Sequence, residues 1–76
     1  MQFDQSVDTL GMLCPLPVLK ARKRLQSMGL GDVLQVIADD PVAVIDVPHF
    51  CEEAGHELLL AENSDGVQTY LIRKGS

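Results

Sequence analysis

Twice in this chain a proline stands a few residues after a strand-like run. Pro15 follows Val7-Asp8-Thr9-Leu10 across a short Gly-containing link, and Pro41 follows Val33-Leu34-Gln35-Val36-Ile37-Ala38. Proline has no amide hydrogen and a fixed φ, so it suits the first turn of a helix and obstructs its interior. Each proline therefore marks a strand-to-helix passage, and two such passages in 76 residues leave room for only one small domain, residues 1–76. The run at Val33–Ala38 is nearly all apolar, as expected of a strand covered on much of its surface in a parallel pair.

The rest of the chain completes the pattern. Val18, Ala21, Leu25 and Met28 recur at helical spacing and form the expected buried face of the first helix. Leu13 and Val18 stand where a hydrophobic staple would, and Gly29 is expected as the left-handed C-terminal cap with Leu30 folding back. Asp40 is the expected N-cap of the second helix, which runs through Val42, Val44, Ile45, Phe50 and Cys51 to Gly55. Pro48 predicts a kink or two short pieces near Val47. Glu57–Glu62 lies between Gly55 and the turn signal Asn63-Ser64-Asp65-Gly66, and reads as a strand paired with Val67–Arg73. The order is βαβαββ. The fold class is an α/β (α+β) two-layer sandwich, a four-stranded mixed sheet with two helices on one face.

Composition narrows the function. The net charge is −5, divided into +2 over residues 1–30 and −7 over residues 31–76. An acidic chain is poorly suited to general nucleic-acid binding, which depends on many Lys and Arg contacts to phosphate. No apolar run approaches membrane-spanning length, and residues 1–5 lack the basic and apolar regions of a signal peptide. Two cysteines without a signal are expected to be reduced thiols in a cytoplasmic protein. Cys51, beside Phe50, reads as core. Asp39 and Asp40 could suggest a metal pair, but a helix cap before Pro41 accounts for Asp40, and His49, Cys51 and His56 lack the paired spacing of a zinc site, so no metal is expected.

The chemistry is expected at Cys14-Pro15-Leu16-Pro17. With Pro15 as the first helical residue, Cys14 takes the N-cap, where unpartnered amides and the helix dipole favour a thiolate. Pro15 and Pro17 stiffen the turn and leave Leu16 and Val18 as its amide donors. There is no second cysteine at Cys-x-x-Cys spacing and no nearby Ser or Thr. A single activated thiolate of this kind suits the carriage of a group better than hydrolysis. Lys20, Arg22, Lys23 and Arg24 follow on the same helix and form a candidate docking face for an acidic partner.

Cys14-Pro15-Leu16-Pro17, placed after a strand and a Gly, resembles the Cys-Pro-x-Pro motif of the TusA/SirA family of sulfur carriers. The resemblance extends over Asp8–Pro17, Ala38–Pro41, Asp46–Cys51 and Tyr70–Gly75. It implies the same βαβαββ sandwich and a persulfide held on Cys14, with no other cofactor. It further implies a cysteine desulfurase as donor and a downstream sulfur-relay protein as acceptor, with 2-thiouridine at the wobble position of tRNA as the endpoint. The implied protein is a sulfurtransferase-type carrier rather than an independent enzyme, and a monomer that binds neither nucleic acid nor membrane. The alternative is a regulatory or RNA-binding interaction module that uses the basic face of the first helix.

Overall fold

The computed structural model describes residues 2–76. Its elements are β1 (Gln5–Asp8), α1 (Leu16–Gln26), β2 (Val33–Ala38), α2 (Ala43–Ala54), β3 (Glu57–Ser64) and β4 (Val67–Arg73). The strands form one mixed sheet in the order β1-β2-β4-β3. β1 and β2 are parallel, with Val7 opposite Val36, while β4 is antiparallel to both β2 and β3. The two apolar strands β2 and β4 thus occupy the centre, where both edges are hydrogen-bonded.

Alternation along the strands decides where the helices lie. Leu34, Val36 and Ala38 of β2 and Tyr70 and Ile72 of β4 point to one side, where Val7 joins them. Ala21 and Leu25 of α1, Met28 just beyond it, and Ala43, Val47, Phe50 and Cys51 of α2 pack into the same cluster. Both helices therefore cover one sheet face, as the pattern predicts, and Val18 is half-buried at its margin. The β3–β4 turn also follows the sequence: Asp65 and Gly66 have φ of 53° and 85°, the pair of positive values required by a two-residue type I′ hairpin. Gly55 ends α2 in the left-handed conformation with φ 79°.

Several local expectations are corrected. Gly29 does not cap α1. Its amide donates to the Asp32 carboxylate, and the Asp32 amide donates back to the Gly29 carbonyl. The third position of that turn needs positive φ, and Gly31 supplies it at 86°. Leu30 is 73% exposed and does not fold back, and Leu13 at 70% makes no staple with Val18. α2 is one continuous helix through Pro48. The carbonyl that Pro48 leaves without its helical donor is that of Val44, a residue half exposed to water, so no break is needed. Val42, Val44 and Ile45 lie on the outer side of α2, which buries Ala43, Val47, Phe50 and Cys51 instead. That buried set follows helical spacing from Ala43, one residue out of step with an apolar face counted from Val42.

This phase makes a direct test. Phe50→Ala is expected to cost about 3–5 kcal/mol and Ile45→Ala to stay within about 0.5 kcal/mol, both read from urea unfolding curves.

Candidate functional site at the first strand–helix turn

The turn between β1 and α1 is held by carboxylates from the β2–α2 side. The Gly11 amide donates to both oxygens of Asp39, at 3.0 and 3.2 Å. The Cys14 amide donates to Asp40 Oδ2 at 2.6 Å, and the Val42 amide to Asp40 Oδ1 at 3.3 Å. Asp40 is only 6% exposed and is braced in turn: Gln68 Nε2 donates to its carbonyl at 2.9 Å, and the Tyr70 hydroxyl donates to Gln68 Oε1 at 2.5 Å. Thr9 is tied to the Ile37 carbonyl through both its amide and its hydroxyl, at 2.8 and 2.6 Å. A continuous set of hydrogen bonds therefore runs from the middle of β4 to the backbone of Cys14.

Within this frame the Cys-Pro-Leu-Pro stretch is arranged differently from the expectation. α1 begins at Leu16 with Pro15 as its N-cap and Pro17 in the first turn, so Cys14 stands one residue further out. The Cys14–Pro15 peptide is cis. The Leu16 amide, expected to face the sulfur, donates to the Leu13 carbonyl at 2.9 Å and closes a tight turn around Cys14 and Pro15. Among the described residues no first-turn amide donates to Sγ. The Cys14 thiol is exposed and donates instead to Asp46 Oδ2, at 2.5 Å, from the first turn of α2.

That partner reverses the expected electrostatics. The hydrogen bond to Asp46, partial desolvation, and the negative charges of Asp46 and Asp40 all favour the neutral thiol and raise the Cys14 pKa. The helix start does not lower it, because the sulfur lies outside the reach of the amides that would act on it. Asp46 is thus a residue of the site that sequence reasoning did not single out. It opens the Asp46–Cys51 stretch of the family resemblance, but neither that stretch nor its local pattern assigns it a role. Asp40, the expected N-cap of the second helix, stands outside it, since Val42 takes that position; Asp39 and Asp40 both accept from backbone amides.

The four basic residues do not act as one face. Arg24 Nη1 donates to Gln5 Oε1 at 3.2 Å and Ser6 O at 3.4 Å, while Arg22 lies 5.7 Å over the Phe50 ring. Lys20, Lys23 and Arg24 line an open cleft of about 540 Å³ with Val7, Leu16 and Leu19, beside the Cys14 turn. Arg22 belongs to the opposite side of α1, where it lines a second cleft with Asp46 and His49.

A βαβαββ sandwich with an exposed thiol at a Cys-Pro-x-Pro turn defines a class of small sulfur-handling proteins. The sequence matches the family described as Sulfurtransferase TusA over residues 5–74, and the chain belongs to that family. Its fold is similar to the crystal structure of a SirA-like protein from Desulfitobacterium hafniense, with a TM-score of 0.84 and 29% identity. That similarity covers 96% of this chain and all of the other. Among the described residues no helix is long and apolar enough to cross a membrane.

The two cysteines are separable by experiment. Burial pushes the Cys51 thiol up to about 11, and Cys51 is 3% exposed. Mass spectrometry after brief alkylation of the native protein at pH 8 should find Cys14 modified and Cys51 intact. Because the folded Cys51 holds its proton more tightly than the unfolded one, its contribution to stability is complete below about pH 8.5. It is lost as the pH rises towards 11. Urea midpoints between pH 8 and 11 should therefore fall more steeply in the wild type than in Cys51→Ala.

Proposed function

We propose that this protein carries sulfane sulfur as a persulfide on Cys14, taken from a cysteine desulfurase and handed to a downstream sulfur-relay protein. One observation carries the reading. The single exposed thiol among the described residues sits at the Cys-Pro-x-Pro turn of a chain in the TusA sulfurtransferase family. Cys14 Sγ attacks the outer sulfur of the donor persulfide. A new S–S bond forms, the donor's S–S bond breaks, and the inner sulfur leaves as a thiolate. The reverse exchange with an acceptor thiolate delivers the sulfur.

The surroundings support such a carrier. Leu13 and Leu16, on either side of the motif, are 70% and 48% exposed, so a partner can cover the sulfur with apolar contact. Pro15 and Pro17 stiffen the turn that presents it, while Leu16 and Val18 form its apolar edge. The cleft with Lys20, Lys23 and Arg24 offers positive charge for docking an acidic partner, and Arg22 offers it on the other side. We assign tRNA wobble 2-thiouridine as the endpoint on the resemblance of Asp8–Pro17, Ala38–Pro41, Asp46–Cys51 and Tyr70–Gly75 to the family. We further propose that the protein works as a cytoplasmic monomer with no cofactor beyond the persulfide.

Incubation with a cysteine desulfurase and cysteine should add sulfur to the intact protein by mass, in a form removed by reduction. Cys14→Ser should abolish the addition and Cys51→Ser retain it. Persulfide that forms equally well on Cys14→Ser would overturn the assignment. Lys20→Glu with Lys23→Glu should slow loading, most at low ionic strength, where exposed charges are least screened. Arg24 is left out of that variant because it also anchors β1.

A further inference from the structure

We propose that Asp46 is a lock on Cys14: it holds the free carrier as a neutral thiol, and sulfur uptake is favoured when the reagent or donor brings positive charge against that carboxylate. The inference rests on the persulfide-carrier reading for its biological meaning, but the lock itself is a property of the isolated protein. Its basis is geometric. Asp46 Oδ2 accepts the thiol hydrogen at 2.5 Å, and Asp40, bonded to the amide of the same residue, is the second carboxylate beside the sulfur. Together they oppose the development of a thiolate.

The groups around Asp46 leave that charge uncompensated. Among the described residues no cation lies within ion-pair distance of it. Arg22, His49 and Glu53 line the same cleft as Asp46, but His49 Nε2 is 3.0 Å from Glu53 and Arg22 lies over Phe50. From α1, the remaining basic residues Lys20, Lys23 and Arg24 border a different cleft. The Asp46 carboxylate therefore has no ion-pair partner in the free protein, although Arg22 borders the same cleft, and the reacting molecule is the proposed source of positive charge. On uptake the thiol proton leaves Sγ. With a persulfide donor, Cys14-SH and R-S-SH become Cys14-S-SH and R-S⁻, with one proton released to the medium. With a symmetrical disulfide, Cys14-SH and R-S-S-R become Cys14-S-S-R and R-SH.

Disulfide exchange tests the lock without any sulfur donor. Cystamine carries two positive charges and dithiodipropionate two negative ones, and both are read by mass on a Cys51→Ser background. Wild type should react faster with cystamine. Asp46→Asn should narrow that ratio several-fold, whereas Asp65→Asn, which removes an equal charge at the far hairpin, should leave it unchanged. The pH profile of iodoacetamide alkylation should move to lower pH in Asp46→Asn. The rate near neutral pH should rise, because the gain in thiolate fraction exceeds the accompanying loss of nucleophilicity. Asp46→Glu, which keeps the charge, should retain the wild-type preference for cystamine.

An Asp46→Asn protein that keeps both the wild-type profile and the wild-type ratio overturns the lock. Matching urea midpoints for the variants exclude loss of fold as the cause of a change. Failure of the carrier reading appears elsewhere, as no sulfur added to Cys14 by a desulfurase, and leaves the exchange ratio unaffected.

Discussion

The contact on which the site depends is the one from the Cys14 amide to the Asp40 carboxylate. A loop that must keep a reactive side chain at the surface cannot bury that side chain to hold itself in place. It has to be anchored through its backbone. Asp40 does this from a nearly fully buried position, and a buried carboxylate is tolerated only when its oxygens have donors. The amides of Cys14 and Val42 are those donors, so the same two bonds satisfy the acid and fix both strand-to-helix turns. Gln68 and Tyr70 brace Asp40 through its carbonyl from the sheet, and no buried side-chain polar atom among the described residues is left without a partner. The geometry at the sulfur is thereby linked to the central strand of the fold.

The same arrangement explains why a helix start next to a cysteine does not create an activated thiolate here. The helix begins two residues after Cys14, and its first amide, that of Leu16, is used to close the turn. What remains near Sγ is negative: Asp46 across a short hydrogen bond and Asp40 behind the backbone. Sequence position relative to a proline sets the helix start to within a residue, yet one residue decides whether the sulfur meets amide hydrogens or a carboxylate.

Most of the fold was legible because its determinants are local. Alternation in β2 and β4, glycines at Gly55 and Gly66, and the spacing of Ala21 and Leu25 each act within a few residues, and the structure follows them. The misread points share a cause. Gly29, Leu30, Pro48 and the Leu13–Val18 pair carry real signals, but a neighbouring carboxylate, an exposed carbonyl or solvent offered a competing solution that local pattern does not reveal. Val42, Val44 and Ile45 look like a helix core by composition, while the position of Phe50 and Val47 against the sheet turns them outward. At the site, Cys14 was legible through its motif. Asp46 was not, because it is 32 residues away and is brought to the sulfur only when α2 packs beside α1.

The hydrogen bond to Asp46 also differs between the two forms of the proposed carrier. An empty Cys14 has an Sγ–H to donate. Once Sγ is bonded to a second sulfur it has no hydrogen, so that particular bond exists only in the empty state. The outer sulfur stands a further S–S bond length, about 2.05 Å, from Sγ. The Sγ–H bond to Asp46 is therefore given up on uptake and regained on delivery. That one contact counts against uptake and for delivery. A donor that covers Asp46 with positive charge during uptake offsets the first effect, and on its departure the second is restored. Direction of transfer then follows from which partner is docked and from whether Cys14 is the free thiol or the persulfide.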